Sequence, residues 1–160
     1  MQILLVIHVA ISLIAIAAGF VIIFAMISNK LLYGWNTLFL ATTIATSVSG
    51  FPLPADRLLP SHIVGILSLL VLALALYAWY ARRLAGGWQR TYAITAVIAQ
   101  YFNFFVLIVQ SFLKIPFLHA LAPTQKEPPF AAAQMVALIA FIALGYLAAT
   151  RFKDPTTSSP

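Results

Sequence analysis

The chain has 160 residues, of which 63% are hydrophobic and only 8% charged, a composition far outside that of water-soluble globular domains. Nine Lys and Arg against three Asp and Glu give a formal charge of +6, but the basic residues sit at the ends of apolar runs and form no stripe interleaved with aromatics. That pattern points to lipid head groups and excludes nucleic acid as the partner, while the absence of cysteine excludes disulfides, thiolate nucleophiles, iron–sulfur ligation and cysteinyl zinc.

A helix needs about 20 apolar residues to cross the hydrocarbon layer. Five stretches approach that length: Ile3 to Ile27, Trp35 to Phe51, His62 to Ala81, Trp88 to Leu113 and Phe130 to Thr150. Between them lie breakers and charges: Asn29, Lys30 and Gly34; Pro52, Pro54 and Pro60; Gly86 and Gly87; and Pro116, Pro123, Pro128 and Pro129. The expected architecture is therefore all-α: an integral membrane helical bundle of about five transmembrane helices forming one domain over residues 1–150, followed by a disordered tail over 151–160.

The first stretch has an apolar core and small residues at Ala15-Ile16-Ala17, as a signal peptide would. It lacks a cationic start and stays apolar to Ile27, so it reads as a span. Its polar and small residues, His8, Ser12, Ala15 and Gly19, recur on one helical face. The second stretch is short and carries Thr42, Thr43, Thr46, Ser47 and Ser49, so that either a crossing or a re-entrant segment has to be weighed. Charge arbitrates. If it crosses, Lys30, Arg82, Arg83, Arg90, Arg151 and Lys153 share one side and Arg57, Lys114 and Lys126 the other, the asymmetry the positive-inside rule prefers. The N-terminus is then outside and the C-terminus in the cytoplasm.

In the second stretch Asn36, Thr43, Ser47 and Gly50 align; in the third, His62, Gly65, Leu69, Ala73 and Tyr80; in the fifth, Gln134, Phe141 and Gly145. Lines of Ser, Thr, Gly and Ala are how membrane helices pack closely. The fourth stretch is different: Gln89, Tyr92, Gln100, Asn103, Gln110 and Lys114 fall within one narrow arc, and amides in a membrane need several partners where water is absent.

In this topology all three histidines fall on the outer side. His8 lies about 7 to 8 Å into the first span at 1.5 Å per residue; His62 opens the third; His119 lies in the loop between the fourth and fifth. Asp56, Glu127, Gln110, Lys114, Gln125 and Gln134 stand near the same level. The loop from Lys114 to Pro129 is long enough to fold over the bundle, with Ile115-Pro116-Phe117-Leu118 as an apolar lid. Pro128 and Pro129 suit the first turn of the last helix, so Glu127 is either a cap at its start or a member of a site.

Three readings of this layer follow. In the first, His8 and His62 ligate a b-type haem, or His8, His62 and His119 with Glu127 hold a copper, iron or zinc ion, although no His-x-x-x-His pair exists and each ligand comes from a different element. Alternatively a quinone, isoprenoid or lipid enters sideways, with His8, His62 and Glu127 as catalytic acid or base and Gln100, Asn103, Gln110, Lys114 and Gln134 binding its polar atoms. The third reading is a non-catalytic subunit bound to another membrane protein, or a small transporter; no inverted repeat supports transport. An enzyme or cofactor binder is favoured over a pure subunit.

The segments Tyr101-Phe102-Asn103-Phe104-Phe105-Val106, Gln110-Ser111-Phe112-Leu113-Lys114-Ile115-Pro116 and Leu121 to Phe130, with Gln134, carry a further pattern. Together with His8, Gly19, Phe20, Ser61, His62, Val64 and Gly65 it resembles a family of short multi-pass bacterial membrane proteins with no assigned activity. The resemblance covers nearly the whole chain. It implies a bacterial inner membrane and a single intact module, and assigns no catalytic residue.

Overall fold

A computed structural model describes residues 2–51 and 60–153; it is 85% helical and holds no strand among them. The helices are α1 (Gln2–Ile27), α2 (Tyr33–Gly50), α3 (Pro60–Leu76), α4 (Trp88–Lys114), the short α5 (Pro116–Leu121) and α6 (Pro128–Arg151). A π-helical turn, Tyr77–Ala81, continues α3. Four helical stretches, Gln2–Ile27, His62–Ala81, Trp88–Lys114 and Pro128–Arg151, are long and apolar enough to cross a membrane.

The remaining long helix, α2, is continuous over 18 residues, about 27 Å at 1.5 Å per residue. It falls behind the others in apolar character because of Asn36 and its run of Thr and Ser. Several of those hydroxyls are satisfied within the helix itself: Thr37 donates to the Tyr33 carbonyl at 3.1 Å and Thr42 to the Leu38 carbonyl at 2.6 Å. The chain turns between α1 and α2 at Asn29, which takes a left-handed φ of 53°, a conformation Asn tolerates better than most residues. It turns again before α4 at Gly87, whose φ of 91° favours glycine. Pro128 and Pro129 occupy the first turn of α6 as expected, with Glu127 at the cap position.

Helices α1, α2, α3 and α4 form a ring in which each packs on the next and α4 closes on α1, while α6 lies outside against α4 and α1. Alternate turns place the α1–α2 and α3–α4 connections at one end of the bundle, with the start of α1, the end of α4 and α5 at the other. The first is the arginine end. It carries Lys30, Arg82, Arg83, Arg90, Arg151 and Lys153, and all three tryptophans, with Arg82 stacked over Trp88 at 5.3 Å. The opposite, histidine end carries His8, His62, His119 and Lys114.

Toward the arginine end the ring is close-packed. Ala18, Ala75, Ala78, Ala93 and Ala96 are fully buried there around Phe39, Leu72 and Tyr92. Small side chains let backbones approach, which is the main source of helix association in lipid. An aromatic cluster of Phe20, Tyr101, Phe104 and Phe141, with centroids 5.5 to 5.9 Å apart, fastens α6 to α1 and α4.

Two expectations need correction. The inward face of α3 runs through Ser68, Leu72, Ala75 and Ala78, whereas Ala73 and Tyr80 point outward; below Gly65 the alternating Leu and Ala leave little periodic contrast from which to read rotation. The tail expected from Arg151 is held for its first three residues: α6 runs to Arg151, Phe152 is buried, and the Lys153 N–H donates to Asn29 Oδ1 at 2.9 Å. Residues 154–160 lie outside the described residues.

Candidate functional site

Toward the histidine end the ring opens. One tie crosses its diagonal, Asn103 Nδ2 on α4 donating to Thr43 Oγ1 on α2 at 3.2 Å. Around and above it the four helices enclose a cavity of about 610 Å3, well within the range of small-molecule sites. Its wall is largely apolar, formed by Leu5, Val9, Leu13, Val64, Val106 and Leu107 among others, and its polar groups converge from all four helices.

Those groups form tiers. Asn103 and Ser12 lie lowest. His8, Thr46, Ser68 and Gln110 come next, and Gln2, His62 and Lys114 line the mouth. From Asn103 to Lys114 the axial rise is about 17 Å at 1.5 Å per residue. Leu5, Val9 and Leu13 are wall and protein surface at once, being 38%, 42% and 53% exposed. Further down, α1 and α4 are joined where Gln100 meets Ile16 and Phe20 meets Phe104. Above those contacts both helices line the cavity, α1 through Leu5, Val9 and Leu13 and α4 through Val106, Leu107 and Gln110.

His8 is held in place. Its Nδ1 lies 2.8 Å from Ser49 Oγ, and the ring lies beside Gly50, where a Cβ would stand 3.5 Å from it, in ordinary van der Waals contact. The Ser49 hydroxyl is also 3.3 Å from the Thr46 carbonyl. When that hydroxyl donates to the carbonyl, His8 Nδ1 carries the imidazole proton; when it donates to Nδ1, Nε2 carries it. The ring can therefore exchange a proton without losing its support. His62 faces Phe51, with ring centroids 5.9 Å apart. Thr46 Oγ1 and Ser68 Oγ are buried in the wall with no hydrogen-bond partner. Neither is saturated by its own helix, which distinguishes them from Ser12 and Ser111, whose hydroxyls donate to the carbonyls of His8 and Leu107 at 2.7 Å.

Of the residues singled out from sequence, His8, His62, Asn103, Gln110 and Lys114 share this cavity. The others have different surroundings. Gln100 is fully buried in the α1–α4 contact, where Nε2 donates to the Ile16 carbonyl at 2.7 Å and the amide fills the space left by Gly19. Gln134 Nε2 reaches the Phe105 carbonyl at 3.4 Å, tying α6 to α4, and Gln125 Nε2 donates to the Val109 carbonyl at 2.9 Å.

Glu127 accepts from Thr124 Oγ1 at 2.8 Å, Thr124 N–H at 3.3 Å and Lys126 N–H at 3.1 Å. Desolvation, which raises its pKa, is outweighed by these hydrogen bonds, and the carboxyl titrates below its ordinary value. Asp56 lies outside the described residues.

The expected metal site of His8, His62 and His119 is not assembled. Among the described residues no three His, Asp or Glu side chains come close enough to share an ion. The reason is local: α5 packs back on α4, and His119 Nδ1 sits 3.3 Å from the Phe112 carbonyl, away from the cavity. Ile115 reaches the cavity rim, but Phe117 in the expected lid is 71% exposed. Sequence reasoning missed Ser68 and counted Thr46 only among the polar residues that left the second stretch open to a re-entrant reading. Ser68 lies three residues after Gly65, about 60° round the helix from it, at the start of a leucine-rich run that hides the rotation.

No family model, curated protein or solved structure matches this chain. The site is read from its own chemistry.

Proposed function

We propose that this protein is a multi-pass protein of a bacterial inner membrane that binds a lipophilic molecule bearing a polar group, in the cavity at its histidine end. Six basic residues and three tryptophans at the opposite end support a cytoplasmic arginine end, a five-span topology and an N-terminus outside. The observation that carries the binding reading is the cavity itself. It is apolar-walled, is bounded on α1 by the half-exposed Leu5, Val9 and Leu13, and is lined by a positioned imidazole, His8, with the amides of Asn103 and Gln110.

Such a site takes its ligand from the bilayer, seats the polar group between His8 and Gln110, and leaves the apolar remainder against Leu5, Val9 and Leu13. His8 is the residue equipped to exchange a proton with the ligand. Native mass spectrometry of the protein released from detergent tests this. The expected result is one lipophile per chain in the parent and loss of most of it in Gln110→Leu. A parent that is empty whichever host membrane it is extracted from would overturn the reading.

A second reading, a non-catalytic subunit, draws support from a groove of about 380 Å3 between α4 and α6, lined by Ile94, Ile98, Leu138, Ile142 and Tyr146. A stoichiometric protein partner, retained in Gln110→Leu, would favour it.

A further inference from the structure

We propose that the cavity's occupant is two-ended: an elongated lipophile with a second oxygen function, a hydroxyl or a carbonyl, about 10 Å from the first. This rests on the lipophile-binding reading above and adds a lower subsite at Asn103 and Ser47. The upper polar group sits between His8 and Gln110, and no described group hydrogen-bonds to the Gln110 amide.

The lower subsite is built across the ring. Asn103 Nδ2 donates to Thr43 Oγ1 at 3.2 Å, and Thr43 is fully buried and outside the cavity lining. One end of the amide is thus fixed in the wall. The other end has no described partner and is not among the polar atoms sealed from solvent. Asn103 is only partly buried, whereas Ala99 and Gln100 in the turn below it are fully buried, so its accessible end opens upward into the cavity. Ser47, one turn above Thr43 on α2, also lines the cavity, with an accessible hydroxyl that has no described partner. The Ser12 hydroxyl on α1, by contrast, is already engaged with the His8 carbonyl at 2.7 Å.

Asn103 and Gln110 face the same way on α4, seven residues apart, which is about 10 Å at 1.5 Å per residue. Between them the wall is apolar, formed on α4 by Val106 and Leu107. Along its depth the cavity is therefore polar, apolar and polar again. A lipophile with a single head between His8 and Gln110 would lay hydrocarbon on the free amide end and the Ser47 hydroxyl and leave both unpaired, whereas a second oxygen function pairs them. A hydroxyl suits either end of an amide because it both donates and accepts, and a carbonyl can accept from Ser47.

Binding of α,ω-octanediol, octanol and the vicinal octanediol to the full-length protein in detergent tests this, with free probe corrected for uptake into micelles. The oxygens of extended α,ω-octanediol stand about 11 Å apart at about 1.25 Å per bond, while the vicinal isomer carries both at one end. In the parent, α,ω-octanediol should bind within about threefold of octanol because its far hydroxyl is paired; an apolar floor would weaken it about tenfold or more. Asn103→Leu should weaken α,ω-octanediol about threefold to tenfold, and Ser47→Ala should weaken it less, with octanol and the vicinal diol staying within about twofold of the parent. A parent that binds α,ω-octanediol about tenfold or more weakly than octanol, or an Asn103→Leu variant that weakens all the probes alike or none of them, would overturn the lower subsite alone. Failure of every probe to bind would overturn the lipophile reading as well.

Discussion

The same four helices behave differently at their two ends. Toward the arginine end, interior positions are Ala18, Ala75, Ala78, Ala93 and Ala96, all fully buried, and the ring has closed on itself. Toward the histidine end the interior positions are His8, Ser12, Gly50, Gly65, Asn103 and Gln110, and it has not. In lipid there is no hydrophobic effect to drive helices together, so side-chain size and polar satisfaction decide how near they come. Alanine draws backbones into contact. Polar groups already tied to their own helix or to one neighbour give the opposite helix no reason to approach.

Glycine variants at the two ends should break this comparison most clearly. At Gly19 any Cβ would collide with the Gln100 side chain, which is fully buried and anchored on Ile16, so it has nowhere to swing. Gly19→Leu should cost about 1–3 kcal/mol or more and lower the thermal midpoint in detergent substantially. A midpoint equal to the parent's would mean that α1 and α4 are not in this register. At Gly65 the nearest atom to an added Cβ is the Phe51 ring at 3.5 Å, and the position faces the cavity. Gly65→Leu should stay within about 1 kcal/mol of the parent in stability, yet reduce bound lipophile at least several-fold by mass spectrometry; full occupancy would show that the cavity is not the binding site.

A smaller effect is expected at the boundary between the halves. Asn103→Leu removes the tie to Thr43, and interhelical hydrogen bonds of this kind contribute about 0.6 kcal/mol on average in membranes. A modest loss of midpoint is expected, together with weaker ligand retention; a gain in both would show that the cross-ring contact is not made.

The smallest effect lies outside the ring, at Glu127. Because its folded pKa is depressed, the carboxylate's hydrogen bonds to Thr124 and Lys126 contribute stability above the ordinary glutamate value of 4.5 and lose it as the pH falls through the lower folded value. Glu127→Gln should therefore flatten the acid limb of the stability profile, and binding at neutral pH should not change. Loss of binding there would assign Glu127 a role in the site that its hydrogen bonds do not indicate.

Much of the fold was legible because its punctuation is local. Asn29, Gly86, Gly87 and the Pro128–Pro129 pair stop or start helices by their own backbone preferences, and the helix bounds follow them closely. The site was legible only in part. Gln100 and Gln110 lie on the same arc of α4, and nothing in α4 distinguishes them; what separates them is Gly19 on α1, which lets Gln100 sink into a helix contact while Gln110 keeps an open wall. That difference depends on the register between two helices, a long-range property. His119 was grouped with the other histidines by its level in the chain, but the short α5 turns it to the Phe112 carbonyl. Ser68 was hidden by a run of leucines, where rotation has no polar contrast to reveal it.

The hydrogen bond from Lys153 to Asn29 joins residues 124 positions apart, the turn after α1 to the segment after α6. With Phe141 wedged against Phe20 and Phe104, it makes the last helix a keystone for the first. A ribosome must finish α6 before α1 meets all its neighbours. Truncation shortly before Arg151 would then be felt in α1 as much as in α6.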